Sequence, residues 1–186
     1  MNNKKHNKQI KSLVWKFIIC IILLFSISSC SYNQNQQIDV GFSPGHSASY
    51  LILKVISQAQ HTIDIAAYSF TSKSISLALL EAHKRGVKIR IIADYKANSN
   101  NYTATTYLAN QKISVRLNKH YSIMHNKFII IDSQILETGS YNYTSAADKH
   151  NAENIIILYH YPEIAFQYTQ EFNRLWEQSV ILPPQY

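Results

Sequence analysis

Cysteine is scarce in this chain of 186 residues: Cys20 and Cys30 are its two, and neither lies beyond residue 30. The rest of the chain therefore folds without an internal disulfide, and an apolar core must stabilise it. Acids are missing from the first thirty residues, where Lys4, Lys5, Lys8, Lys11 and Lys16 stand unopposed. The apolar run Phe17 to Ile27 has eleven residues, short of the ~20 that a membrane-spanning helix needs. Beyond the leader there is no internal repeat and no amphipathic stretch rich in Trp or Phe of the kind that lies on lipid.

What the first thirty residues do hold is a basic stretch, then the apolar run, then Ser28-Ser29-Cys30. That is the anatomy of a secretory signal peptide, with an uncleaved N-terminal anchor as the alternative. Ile27-Ser28-Ser29-Cys30 resembles the bacterial lipobox, in which the cysteine is acylated. Acylation of Cys30 and ordinary cleavage nearby both stay open. Residues 31–37 are polar and aperiodic and read as a tether. The whole chain carries +7, but five of its eighteen basic residues lie in the leader. The remaining thirteen stand against eleven acids, a net of +2. Attraction to a polyanion must then come from local patches.

Residues 38–186 alternate between strand and helix patterns. Strands are expected at 38–42, 62–70, 87–93, 113–117, 128–131, 135–138 and 155–158. Helices are expected at 47–60, 74–85, 103–110, 142–149 and 162–176, with Gly86 ending the second and Pro162 opening the last. The alternation implies one α/β domain, a mixed sheet flanked by helices.

His125-Asn126-Lys127 followed by Asp132 reads H-x-K-x4-D, and it occurs once. The other seven histidines lack the spacing; His6-Asn7-Lys8 matches the first half, but Leu13 stands where the aspartate would be. Gly139-Ser140-Tyr141-Asn142 follows, then Glu153 in Asn151-Ala152-Glu153-Asn154. On a strand, residues two apart share a side, so His125 and Lys127 can face one pocket. An imidazole, a fixed cation, hydroxyl and amide donors and a carboxylate can together hold and attack a phosphodiester. A metal site of His125, Asp132, Glu153 and a further histidine is a competing reading, but the tight His/Cys spacing of zinc motifs is missing. A non-catalytic binding module is another, which would need no nucleophile.

The chain resembles the phospholipase D superfamily. The likeness spans about residues 38–178 and rests on Gly41-Phe42-Ser43-Pro44, Ala67-Tyr68-Ser69-Phe70-Thr71, His125 to Asp132, Gly139 to Thr144 and Asn151 to Asn154. The branch it is similar to is small and bacterial, carries one copy of the motif, and contains exported nonspecific endonucleases and proteins labelled phospholipase D. The resemblance implies the sandwich fold of that family and no cofactor. It implies that His125 attacks phosphorus and forms a phosphohistidine, while a second histidine protonates the leaving oxygen. It makes Lys127, Ser140 and Asn142 the phosphate-binding groups and Glu153 the acceptor that fixes the imidazole tautomer. Asp132 completes the motif, in a role more structural than catalytic. A single motif implies a homodimer in which two copies of His125 share one site.

Two substrate classes follow: nucleic acid without strong sequence choice, or phospholipid headgroup esters. Lys84, Arg85, Lys88, Arg90 and Lys96 form a basic run that reads either as a solvated helix end and strand edge or as a phosphate-backbone track. Tyr102, Tyr107, Tyr121, Tyr141 and Tyr143 are available for packing or for stacking on bases.

The leader generates the first prediction. Cell fractionation should find residues beyond Cys30 outside the cytoplasm, and full-length protein soluble in the cytoplasm would sink that reading. Cys30→Ala should release the protein from membranes only if the cysteine is acylated.

Overall fold

The structure is a computed structural model that describes residues 35–99 and 103–185. The leader, Cys30, residues 31–34 of the tether and Tyr102 lie outside the described residues. Eight strands form one sheet: β1 (Gln37–Ser43), β2 (Thr62–Ala67), β3 (Lys88–Asp94), β4 (Ser114–Asn118), β5 (Phe128–Ile131), β6 (Ile135–Gly139), β7 (Glu153–Tyr159) and β8 (Val180–Ile181). Their order is β1-β7-β6-β5-β2-β3-β4-β8. β2, β3 and β4 run parallel, and every other neighbouring pair is antiparallel. The mixed α/β sheet flanked by helices is as the sequence implies.

The helices are α1 (Ser47–Gln58), α2 (Lys73–Lys84), the one-turn α3 (Tyr95–Asn98), α4 (Ala104–Asn110), α5 (Ser145–Lys149) and α6 (Pro162–Glu177). One face of the sheet packs Ile63, Ile65, Ile91, Ile129, Ile155 and Ile157 against Ile52 and Val55 of α1 and Ile75 and Leu79 of α2. The other packs Ala66, Ile92, Phe128, Ile130 and Leu136 against Ala165, Phe172 and Leu175 of α6. Strand β5 is buried at all four positions because both layers cover it. β1 is not: Ile38, Val40 and Phe42, on the α6 side, are 48%, 54% and 59% exposed.

Local chemistry sets the boundaries. Ser72 caps α2 by accepting from Ile75 N, and Asp94 caps α3 by accepting from Ala97 N at 2.9 Å. Gly86 adopts φ +93 directly after α2, where a side chain would be strained. At Gly139 a Cβ would lie 2.1 Å from the Asn154 carbonyl oxygen, so only glycine lets β6 and β7 meet there. Expected and observed elements differ mostly at their ends: β1 begins at Gln37, inside the expected tether, and β2 stops at Ala67 rather than Phe70. Two elements were not expected: α3, within a stretch that reads as polar loop, and β8, whose two residues are both exposed and carry no periodic signal.

Asp132 ends the β5 strand, and its carboxylate closes the edge of the sheet. Oδ2 accepts from Gln60 N at 2.9 Å, and Oδ1 from His61 N and Thr62 N, each at 2.8 Å. Asp132 and Ser133 take φ of 51 and 57 to turn the chain into β6. Asp132→Ala leaves these three amides without their charged acceptor and should cost about 2–3 kcal/mol, read by urea denaturation. Asp132→Asn, which keeps one acceptor oxygen, should recover part of the loss.

Candidate active site

The parallel strands β2, β3 and β4 all end on one edge of the sheet, the edge where open α/β sheets take ligands. The start of β5, the end of β6, the start of β7 and the end of β1 reach the same edge, since Phe128 pairs with Ala66 and Thr138, and Ser43 with Glu153. Lys127 immediately precedes β5, Ser140 follows β6, and Glu153 opens β7. Three of the implied site residues are therefore delivered by adjacent strand ends.

His125 and Lys127 lie in an irregular segment before β5, so they do not share a strand face as the i, i+2 spacing implies. A tyrosine brings them together instead. The Tyr68 ring lies 4.6 Å from the His125 ring, centroid to centroid, and its centroid is 5.3 Å from Lys127 Nζ. Lys127 is 7% exposed, and its Nζ curls back to donate to the His125 carbonyl oxygen at 2.7 Å. His125 itself is exposed. The pair thus offers a reachable imidazole and a buried, oriented cation. Burial pushes the Lys127 ammonium below the usual lysine range, and the nearby Glu153 charge opposes that shift.

Glu153 is held by two side chains. Its Oε2 accepts from Ser140 Oγ at 2.6 Å and its Oε1 from Asn151 Nδ2 at 2.9 Å. Ser140 Oγ also accepts from Asn154 N at 3.1 Å. Ser140 therefore fixes the carboxylate in this state. Asn142 follows in the same turn, and its buried Oδ1 has no hydrogen-bond partner. An unpaired side-chain oxygen of this kind can accept a hydrogen bond from an incoming donor.

Asp132 stands apart: it lies at the opposite end of β5 from Lys127, its carboxylate committed to three backbone amides. Its place in the motif reflects the length of the strand between cation and turn, and its contacts are those of a structural clamp, not of a group that reaches the substrate. Cys30 is outside the described residues. Among the described residues no group of three or more His, Cys, Asp or Glu side chains converges as a metal ligand set would.

The basic run does not form one track. Arg85 caps α1 through the carbonyls of Ser57 and Ala59, Arg90 pairs in bidentate fashion with Asp64 at 2.7 and 2.8 Å, and Lys84 pairs with Glu81. Lys96 is the member that reaches the site edge. Tyr141 and Tyr143 are core residues, 1% and 0% exposed, and cannot stack on a base.

Sequence reasoning missed Tyr68 as a site residue and missed the pair that supports it. Asp94, 2% exposed, accepts from Met124 N at 2.9 Å and so anchors the segment leading to His125. Asn98, 1% exposed, donates to the carbonyls of Tyr68 and Asp94 and accepts from Phe70 N. Asp94 could have been suspected from its position at the end of a parallel strand; Asn98 gives no signal in one sequence.

Fold and site together define a phosphodiester-hydrolysing class, and comparison with known proteins agrees. A family model described as cardiolipin synthase, PLD-like domain, matches residues 52–176. A phospholipase D of Rickettsia conorii is 36% identical over 148 residues, covering 80% of this chain and 72% of that protein. The human mitochondrial cardiolipin hydrolase is 33% identical over 138 residues, covering 74% of this chain and 54% of that protein. The crystal structure of Nuc, a phospholipase D family member from Salmonella typhimurium, is 36% identical with a TM-score of 0.78, covering 80% of this chain and 99% of that one. The chain belongs to the phospholipase D superfamily. Its class is hydrolase.

The opposing effects on Lys127 are testable directly. With lysine ε-carbons labelled, Lys127 should titrate by NMR at lower pH than a solvent-exposed lysine. Glu153→Gln removes the carboxylate that favours the charged form, so its midpoint should fall further. A midpoint that stays put or rises in that variant would show that Glu153 does not act on this cation.

Proposed function

We propose that this protein is an exported, metal-independent phosphodiesterase that works through a phosphohistidine on His125, with nucleic acid as its first substrate class. The observation that carries the reading is the Tyr68-bridged pair of exposed His125 and buried Lys127. A ring nitrogen of His125 attacks phosphorus, and the bond to the leaving oxygen breaks. That oxygen takes a proton from a second imidazolium. The same imidazole then removes a proton from water, whose oxygen displaces His125 and frees a phosphomonoester. Lys127 and Asn142 face the non-bridging oxygens, where negative charge builds. Glu153 accepts a hydrogen bond from an imidazole and sets its tautomer, exchanging its present bond to Ser140 for that one.

The second imidazole comes from another copy of the chain. Ile38, Val40 and Phe42 of β1, with the half-buried Ile156 of β7, form an exposed apolar face near Glu153. A two-fold dimer through that face would bring two site edges together.

Nucleic acid is favoured by the exposed Tyr95, Lys96, Lys119 and His120, which lie at the ends of β3 and β4 on the site edge. Cations interleaved with aromatic rings suit a single-stranded polyanion. The second reading, hydrolysis of phospholipid headgroup esters, is favoured by Ile123, 54% exposed two residues before His125, and by relatives named phospholipase D and cardiolipin hydrolase.

One experiment decides between them: purified protein with plasmid DNA, RNA and phosphatidylcholine side by side, with and without EDTA. Cleavage should survive the chelator, and loss of activity that zinc or magnesium restores would overturn the covalent mechanism. His125→Ala should remove nearly all activity without unfolding the protein, and Lys127→Ala should cost at least about 10²–10³ in rate. Refolding wild-type and His125→Ala chains together in equal amounts should leave about half the activity expected from the wild-type chains, by random pairing of a two-fold dimer. Activity in proportion to wild-type content would place the second imidazole within the chain.

A further inference from the structure

The turn that carries Ser140 and Asn142 rests on a buried carboxyl group. Glu137 lies in β6, two residues before Gly139, and is 1% exposed. Its partners on the neighbouring strands are Ile129 and Ile157, both fully buried. Its Oε2 accepts from the Tyr143 hydroxyl at 2.8 Å, while its buried Oε1 has no hydrogen-bond partner. Tyr143 is fully buried and meets Phe70 edge-on at 5.8 Å. The Tyr143 carbonyl accepts from Thr71 N and Ser72 N, each at 2.9 Å. Glu137 thus fastens the far end of the Ser140–Asn142 turn to the loop that begins at Tyr68, the residue touching both His125 and Lys127.

No reaction step described above uses this carboxyl, and an apolar residue would fill the space at lower cost. The Tyr143 hydroxyl is the one described group that favours the ionised form, against the burial that opposes it. β5 and β7 present Ile129 and Ile157, and α1 and α2 cover this face with Ile52, Val55, Ile75 and Leu79. Lys54 of α1 is directed at Asp39 and the Tyr159 ring instead. The titratable group that acts on Glu137 is Tyr143, by its hydrogen bond, and a Glu137 charge in turn pushes the Tyr141 hydroxyl up. Among the described residues no lysine, arginine or histidine forms an ion pair with it.

We propose that Glu137 is a positioning residue of the active site, one that must be uncharged to hold the Ser140–Asn142 turn in place. It is new to the reading above but rests on it only for the phosphodiesterase reaction, and is indifferent to nucleic acid or lipid as substrate. Burial pushes the carboxyl up to about 8, and the Tyr143 hydroxyl opposes this. Between the ordinary carboxylate range and that value, the folded chain keeps a proton that the unfolded chain has lost. The group's contribution to stability therefore falls as pH rises through that window and levels off above it. Once ionised, the carboxylate needs water or a cation, and either shifts the end of β6 and the turn beyond it.

Wild type, Glu137→Gln, Glu137→Ala and Tyr143→Phe should be compared on bis(4-nitrophenyl) phosphate from mildly acid to alkaline pH. Glutamine keeps an acceptor for Tyr143 and cannot ionise. Its kcat should match wild type below pH about 7 and outlast it above about 8, where wild type should lose about tenfold per pH unit. Glu137→Ala and Tyr143→Phe should lower kcat at every pH, by up to about 10²-fold, because a misplaced donor acts on the chemical step. KM should change little. Infrared titration should find a buried protonated carboxyl in wild type at neutral pH that vanishes through about 8 and is absent from Glu137→Gln. An alkaline limb that Glu137→Gln leaves unmoved, or a wild type without that infrared band at neutral pH, would overturn the proposal. The infrared measurement needs no turnover, so it separates failure of this proposal from failure of the functional reading.

Discussion

Everything at the site depends on the antiparallel pairing of β5 with β2. β5 is the seam between the parallel half of the sheet and the antiparallel half. Because it runs against β2, its first residue lies beside the last turn of a parallel strand, and Lys127 arrives next to Tyr68. Because it also pairs with β6, the residues after Gly139 return to the same edge. The strand has four residues, all buried, and Asp132 locks its other end to the amides that open β2. A one-residue slip would turn its apolar side chains the wrong way and move the cation off the edge. The motif spacing from Lys127 to Asp132 is then the length of a strand that must reach from one edge of the sheet to the other.

The buried polar network around the site explains how an exposed imidazole stays oriented. Asp94 and Asn98 tie the ends of β3, the Tyr68 loop and the segment before His125 to one another with backbone hydrogen bonds. Tyr143 ties the Phe70 loop to the Asn142 turn. Groups that act on a phosphodiester must hold their places without help from the substrate, and interior hydrogen bonds achieve this at low reorganisation.

Much of this was legible in the sequence, for stated physical reasons. Phe128 to Ile131 is an unbroken apolar run one residue after Lys127, and a doubly covered strand has that look. Gly86 and Pro162 mark boundaries because φ and the missing N–H constrain them. The site was legible as a set of residue types in Lys127, Ser140, Asn142 and Glu153, but not as contacts. That Tyr68 would join His125 to Lys127 depends on β2 meeting β5, a pairing of residues such as Ala66 and Phe128, far apart in the chain, that no local pattern encodes. Glu137 and Asn98 are polar residues whose burial follows only from the tertiary fold. β8 escaped notice because two exposed residues make no pattern.

The β1 strand offers two kinds of association with different endings. Its apolar face, with Ile38, Val40 and Phe42, can meet its own copy around a two-fold axis, and that arrangement closes at two chains. Its backbone edge, unpaired among the described residues, could instead accept a further strand, and strand addition has no natural stop. Asp39 sits in the middle of that edge strand, on the α1 side, held by Gln37, Tyr159 and Lys54. A strand docking there would have to bury a carboxylate that already has its partners, with none to spare. A charge in an edge strand thus disfavours growth into an open-ended ribbon.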